Sequence, residues 1–131
     1  MRLLLDTHIA IWAIEDNKRL SVQARTLIAD TQNAVFVSVI SLWEIAMKHA
    51  LRRAGPDSID FSAGDARKYF DVAGYAILPA VSEHLLFLEK LHALHGDPFD
   101  RLLVAQALSE PMRLVTHDAR VAAYSDTVIL V

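Results

Sequence analysis

The chain has 131 residues, 53% of them hydrophobic and 22% charged, with a formal net charge of −3 and no cysteine. That is enough chain to bury a sizeable core. It excludes disulfide scaffolds, thiolate metal sites and cysteine nucleophiles, and the negative balance excludes a protein that grips nucleic acid by bulk charge alone. The apolar start MRLLLDTHIAIW carries Asp6 in its middle and no small-residue cleavage site. No run reaches the ~18 apolar residues of a membrane span, so a cytoplasmic protein is expected.

The expected elements alternate. Arg2–Leu5 reads as a strand, residues 8–15 as a short helix, and Ser21 as the cap of a helix to about residue 30. Residues 34–38 are a second strand. Ser41 and Glu44 form a capping box that opens a helix to about Arg53, with a breaker at residues 54–57. A helix from about Ser62 ends at Gly74, and residues 76–78 are a weak strand stopped by Pro79. Ser82 caps a helix expected to run to His95, with Gly96 as its C-cap. Asp97 then caps a helix to about Ser109, with Pro98 at its first position. Residues 113–116 form a strand, 119–124 a short helix and 127–130 a last strand. The strands are continuous apolar runs, as in parallel sheets buried on both faces. The expectation is one domain over 1–131, a three-layer α/β/α fold whose mostly parallel sheet of four to five strands has helices on both faces.

In open α/β sheets ligands bind outside the carboxyl ends of the strands. Asp6 directly follows the first strand, Glu44 opens the helix after the second, and Asp118 lies two residues past Thr116 at the end of another. Asp100 stands in the first turn of the helix in DPFDRLLVAQA, and only packing decides whether it joins them. Each acid alone also has a reading as a cap or turn residue. Together, four carboxylates at one edge repel each other unless a cation sits among them. Mg²⁺ or Mn²⁺ suits such an oxygen-only set, and a pair of such ions activates water against a phosphodiester.

The blocks LLLDTHIAIW, SLWEIAMK, DPFDRLLVAQA and LVTHDARV resemble, in order and over nearly the whole chain, PIN-domain ribonucleases, and most of all the VapC-type toxins of bacterial toxin–antitoxin systems. The resemblance implies a parallel sheet between helices and an acidic pocket for Mg²⁺ or Mn²⁺. It matches the family's acids to Asp6, Glu44, Asp100 and Asp118, with Asp6 and Asp100 as primary ligands. Asp97 is then a cap, and Asp97, Thr116, Thr7 and Ser41 are candidates to support the ligands. The resemblance also implies RNA hydrolysis, a homodimer and a cognate antitoxin.

Lys48, Arg52, Arg101 and Arg120 stand beside the acids and are candidates for a basic rim that takes RNA phosphates. His8 and His117 adjoin proposed acids and read as supporting or surface residues. His84, His92 and His95 roughly share a face of one expected helix, too few convergent ligands for zinc. Trp12 and Trp43 read as core, with a dimer or antitoxin interface as the alternative. Two other functions compete. An Asp-nucleophile phosphatase wants a second Asp two residues after Asp6, where His8 stands. A non-catalytic α/β protein-binding module would tolerate loss of the acids.

Overall fold

The computed structural model describes residues 1–51, 58–92, 94 and 96–131. The expectations placed on Arg52, Arg53, the breaker at 54–57 and His95 lie outside the described residues. In chain order the elements are β1 (Arg2–Leu5), α1 (Thr7–Glu15), α2 (Val22–Ala29), β2 (Ala34–Ser38), α3 (Val39–Ala50) and α4 (Ala63–Ala73). They continue with β3 (Ala76–Leu78), α5 (Ser82–Leu88), α6 (Pro98–Ser109), β4 (Arg113–Thr116), α7 (Ala119–Ala122) and β5 (Ile129–Leu130).

The five strands form one sheet in the order β3-β2-β1-β4-β5, and every pair is parallel. β1 lies in the middle, with Leu4 opposite both Phe36 of β2 and Leu114 of β4. Side chains alternate across a strand, so this one apolar run serves two cores. Leu3 and Leu5 pack with Ile9, Ala24, Ile45 and Phe70 on one face, whereas Leu4 packs with Leu103, Leu114 and Val121 on the other. α1, α2 and α4 cover the first face, and α5, α6 and α7 the second. α3 reaches both, through Ile45 and Ile40. Truncating a fully buried leucine here, such as Leu4→Ala, costs roughly 2–5 kcal/mol. The three layers and the parallel sheet are as expected, and the strand number is five.

The expected caps at Ser21, Ser62 and Asp97 all accept helix N–H groups, and Gly74 ends α4 in the left-handed region at φ 84°. Local expectations at five elements are corrected. The capping box at Ser41 is not used: α3 begins at Val39, because Ser38 at the end of β2 accepts from Ile40 N–H at 3.0 Å. Strand passes into helix with no loop, and Glu44 stands in the second turn. α5 is capped by Val81 rather than Ser82 and ends at Leu88, not at His95. Its end is tightened by bonds from Lys90 N–H to Phe87 and from Leu91 N–H to Leu88, so Gly96 caps no helix and His92 lies beyond α5. α7 ends at Ala122. β5 starts only at Ile129, because Ser125 Oγ accepts from Thr127 N–H and holds the preceding residues as a turn. Finally, α1 starts at Thr7 with Asp6 itself as its cap.

Candidate active site

The strand order reverses direction between β1 and β4, and the crevice outside their carboxyl ends is where an open α/β sheet receives a ligand. Asp6 is the residue after β1 and Thr116 the last of β4. An open cavity of about 300 Å³ lies at this place, lined by Asp6, Glu44, Asp97, Asp100 and Asp118 together with His8, Lys48, His117 and Arg120. The strand ends deliver Asp6 and Asp118, α3 delivers Glu44 and Lys48, and the packing of α6 brings Asp100 to the same place.

Asp6 is 4% exposed. Its Oδ1 accepts from Ile9 N–H at 2.9 Å, which caps α1, and its Oδ2 accepts from the Thr116 hydroxyl at 2.5 Å. Thr116 Oγ1 in turn accepts from Asp118 N–H at 3.1 Å, so one hydroxyl ties two of the acids to β4. Burial pushes the Asp6 carboxyl up from 3.8 to about 6. The bonds from Thr116 and Ile9 and the nearness of His117 act the other way, while Asp100 adds to the rise. Thr7 and Ser41 share a buried hydroxyl–hydroxyl bond of 2.9 Å, which joins the start of α1 to α3 and so sets Glu44 relative to Asp6.

Glu44 is 3% exposed. Its Oε2 accepts from Lys48 Nζ at 2.7 Å, one helical turn on. Its Oε1 is buried with no hydrogen-bond partner among the described residues. A buried carboxylate oxygen without a donor is costly, and in a native fold it calls for an explanation such as an ion or water. Asp97 caps α6 by accepting from Phe99 and Asp100 N–H, and it also faces the cavity. Asp118 accepts from the Arg120 guanidinium at 3.0 Å. That bond and the Asp118 charge push the guanidinium pKa upward, with Asp100 and Asp97 adding to it.

The donors are therefore oxygen atoms with surplus negative charge, the chemistry that Mg²⁺ and Mn²⁺ prefer. Among the described residues no group of three or more acids or histidines is placed as a cage that could hold a metal ion. A cage is not required, because Mg²⁺ is commonly held by one or two carboxylates and otherwise by waters. The buried Glu44 Oε1 and the raised Asp6 pKa fit such a cation.

The structure thus brings together Asp6, Glu44, Asp97, Asp100, Asp118, Lys48 and Arg120, and it sets Thr116, Thr7 and Ser41 directly behind them. Arg101 is half-buried, its Nε has no hydrogen-bond partner among the described residues, and it does not line the cavity. Arg52 lies outside the described residues. His8 and His117 line the cavity more closely than their sequence positions suggested, and their rings form a cluster with Trp12. Adjacency to Asp6 and Asp118 was the available signal, and it did not reveal that the two rings meet. Trp43 is 50% exposed rather than core, and its ring meets Phe99 at 4.8 Å.

Residues 3–126 match the family model of the PIN domain. The chain is 30% identical over 122 residues to the Ribonuclease VapC22 of Mycobacterium tuberculosis, which covers 93% of this chain and 91% of that protein. Its fold is similar to that in a crystal structure of VapBC2 from Rickettsia felis bound to a DNA fragment from their promoter. The TM-score is 0.67 at 18% identity, covering 100% of this chain and 98% of the matched chain. It is also similar to a chain of a toxin–antitoxin complex from Klebsiella pneumoniae, with TM-score 0.63, 18% identity and coverage of 97% and 95%.

Proposed function

Because the chain belongs to the PIN-domain family, we propose that it is a metal-dependent endoribonuclease, the toxin of a bacterial toxin–antitoxin pair. In this reading residues 1–131 form a single PIN-like domain acting in the cytoplasm. The observation that carries it is the convergence of five carboxylates on one cavity at the sheet's switch point, with a buried Glu44 oxygen that has no hydrogen-bond partner among the described residues. The homologous VapC22 of M. tuberculosis is a ribonuclease by name. No helix among the described residues is long and apolar enough to cross a membrane.

Asp6 and Asp100 are assigned as the direct holders of Mg²⁺ or Mn²⁺, with Glu44 and Asp118 completing the pocket or holding the ion's waters. A cation held there would make a water more acidic and offset charge on the phosphodiester. Thr116 keeps the Asp6 oxygen in place, the Thr7–Ser41 bond keeps α3 against α1, and Asp97 fixes the first turn that carries Asp100. Lys48 and Arg120 hold the pocket's acids and present positive charge to an entering RNA phosphate. A cognate antitoxin is the proposed partner, since related folds occur in toxin–antitoxin complexes, and a homodimer is the proposed assembly.

The test is cleavage of total RNA by the purified protein with Mg²⁺, with Mn²⁺ and with EDTA, beside Asp6→Asn from the same preparation. Cleavage that requires metal and disappears in Asp6→Asn is expected. Equal cleavage by the variant, or no cleavage together with no metal binding by calorimetry, overturns the reading in favour of a binding module.

A further inference from the structure

A second cavity, of about 200 Å³, adjoins the acidic one, and the two share His8 as a common wall. Its other walls include Ile11, Trp12, Arg19, Asn17 and Phe61. Three rings stand along the boundary. His117 meets Trp12 at 4.7 Å between centroids and His8 at 5.8 Å, and His8 meets Trp12 at 6.0 Å. The Arg19 guanidinium lies 5.9 Å from the Trp12 centroid.

This cavity differs in kind from its neighbour. Its walls set the Trp12 and Phe61 rings and Ile11 and Ile59 beside polar and charged groups, whereas the acidic pocket is walled by five carboxylates, two cations and two histidines. Glu15 and Asp60 also line it, so its charge does not favour a phosphate. Flat faces of aromatic rings and guanidinium groups, with a few hydrogen-bonding edges, are what receive an unstacked nucleobase. The neighbouring pocket is the one assigned to the scissile phosphate.

The geometry points to a nucleobase subsite: the cavity walled by His8, Trp12, Arg19 and Phe61 receives one splayed-out base of single-stranded RNA next to the phosphate being cut. The inference rests on the ribonuclease reading for its ligand. Base occupancy here positions the adjoining phosphate over the acids.

The test uses binding rather than cleavage. The chain has two tryptophans, so in a Trp43→Phe, Asp100→Asn protein the emission comes from Trp12 alone. The probes are a single-stranded mixed-sequence RNA octamer and the same octamer with one abasic ribose at each position in turn. The octamer is expected to quench Trp12 emission. One abasic position should lose the quenching and bind about 5- to 150-fold more weakly, the range of one base–aromatic stack. His8→Ala, a change at an exposed side chain, should narrow that difference, and Trp12→Phe in a protein retaining Trp43 should preserve it. No RNA binding, or equal affinity and emission for all the octamers, overturns the subsite. If the unmodified protein still cleaves RNA with metal, the ribonuclease reading stands without it. Base-dependent quenching in a protein that never cleaves leaves the subsite and removes the ribonuclease reading.

Discussion

Two groups of buried polar side chains in this fold are built to opposite rules. Around Gln106, each group has its partner. Ser38 Oγ donates to Gln106 Oε1 at 2.5 Å and accepts from Ile40 N–H, while Gln106 Nε2 reaches Pro79 O and His84 Nδ1. His84 Nδ1 accepts from Val81 N–H, and its Nε2 meets Glu110 Oε2 at 2.5 Å. Around Asp6 the balance is left open: a buried carboxyl pushed up to about 6 and a buried Glu44 oxygen with no donor among the described residues. The first group ties β2, α5 and α6 together. The second leaves a buried charge pattern without its full set of partners, which is how functional sites commonly depart from structural ones.

The sharpest way to break the comparison is at Asp6. Asp6→Asn should lower cleavage by at least about a hundredfold, measured at fixed metal and RNA, since even residues behind metal ligands cost 10–100-fold. The same change should make the metal-free protein more stable. Asp6 binds its proton more tightly folded than unfolded, so its contribution is present below pH 3.8 and lost as pH rises through 3.8 to about 6. That rise corresponds to about 3 kcal/mol. Urea melts of the metal-free protein should show the loss across that window, and melts of Asp6→Asn should not. Protonation of Asp6 competes with metal binding, so cleavage should fall on the acid side, at a pH that moves lower as the metal concentration is raised.

Gln106→Leu attacks the other group. It leaves Ser38 and His84 without their shared partner, and a loss of roughly 1–3 kcal/mol is expected in the same melts. Metal-dependent cleavage per folded molecule should be retained, because Gln106 does not line the cavity. A large activity loss at full stability would erase the distinction between the two groups.

Thr116→Val is a finer probe of the pocket. It removes a hydrogen bond that lowers the Asp6 pKa. The acidic limb of the cleavage profile should move to higher pH, with about a tenfold loss at neutral pH. The smallest effect is expected at Arg120. Arg120→Ala should weaken RNA binding about equally for all sequences and reduce the salt slope by about one, as for a single phosphate contact. A change in sequence preference there would reassign Arg120 from phosphate to base.

Much of this protein was legible before any coordinates, and the reason is local. β1, β2 and β4 are continuous apolar runs because both faces of a central parallel strand are buried, and Asp97-Pro98 starts a helix by its own hydrogen bonds. Asp6 and Asp118 follow strand ends, so chain order alone brings them to the carboxyl edge. The tertiary structure decided what depends on distant partners. Ser41 reads as a helix cap, but Ser38 reaches Ile40 first, and the Ser41 hydroxyl instead meets Thr7, 34 residues away in sequence. Whether Asp100 joined the pocket depended on how α6 lies against the sheet. The convergence of His8, Trp12 and His117 depended on α1 meeting the turn after β4. Short-range hydrogen bonds and burial periodicity are written along the chain, whereas ring contacts and shared cavities arise only where strands remote in sequence lie side by side.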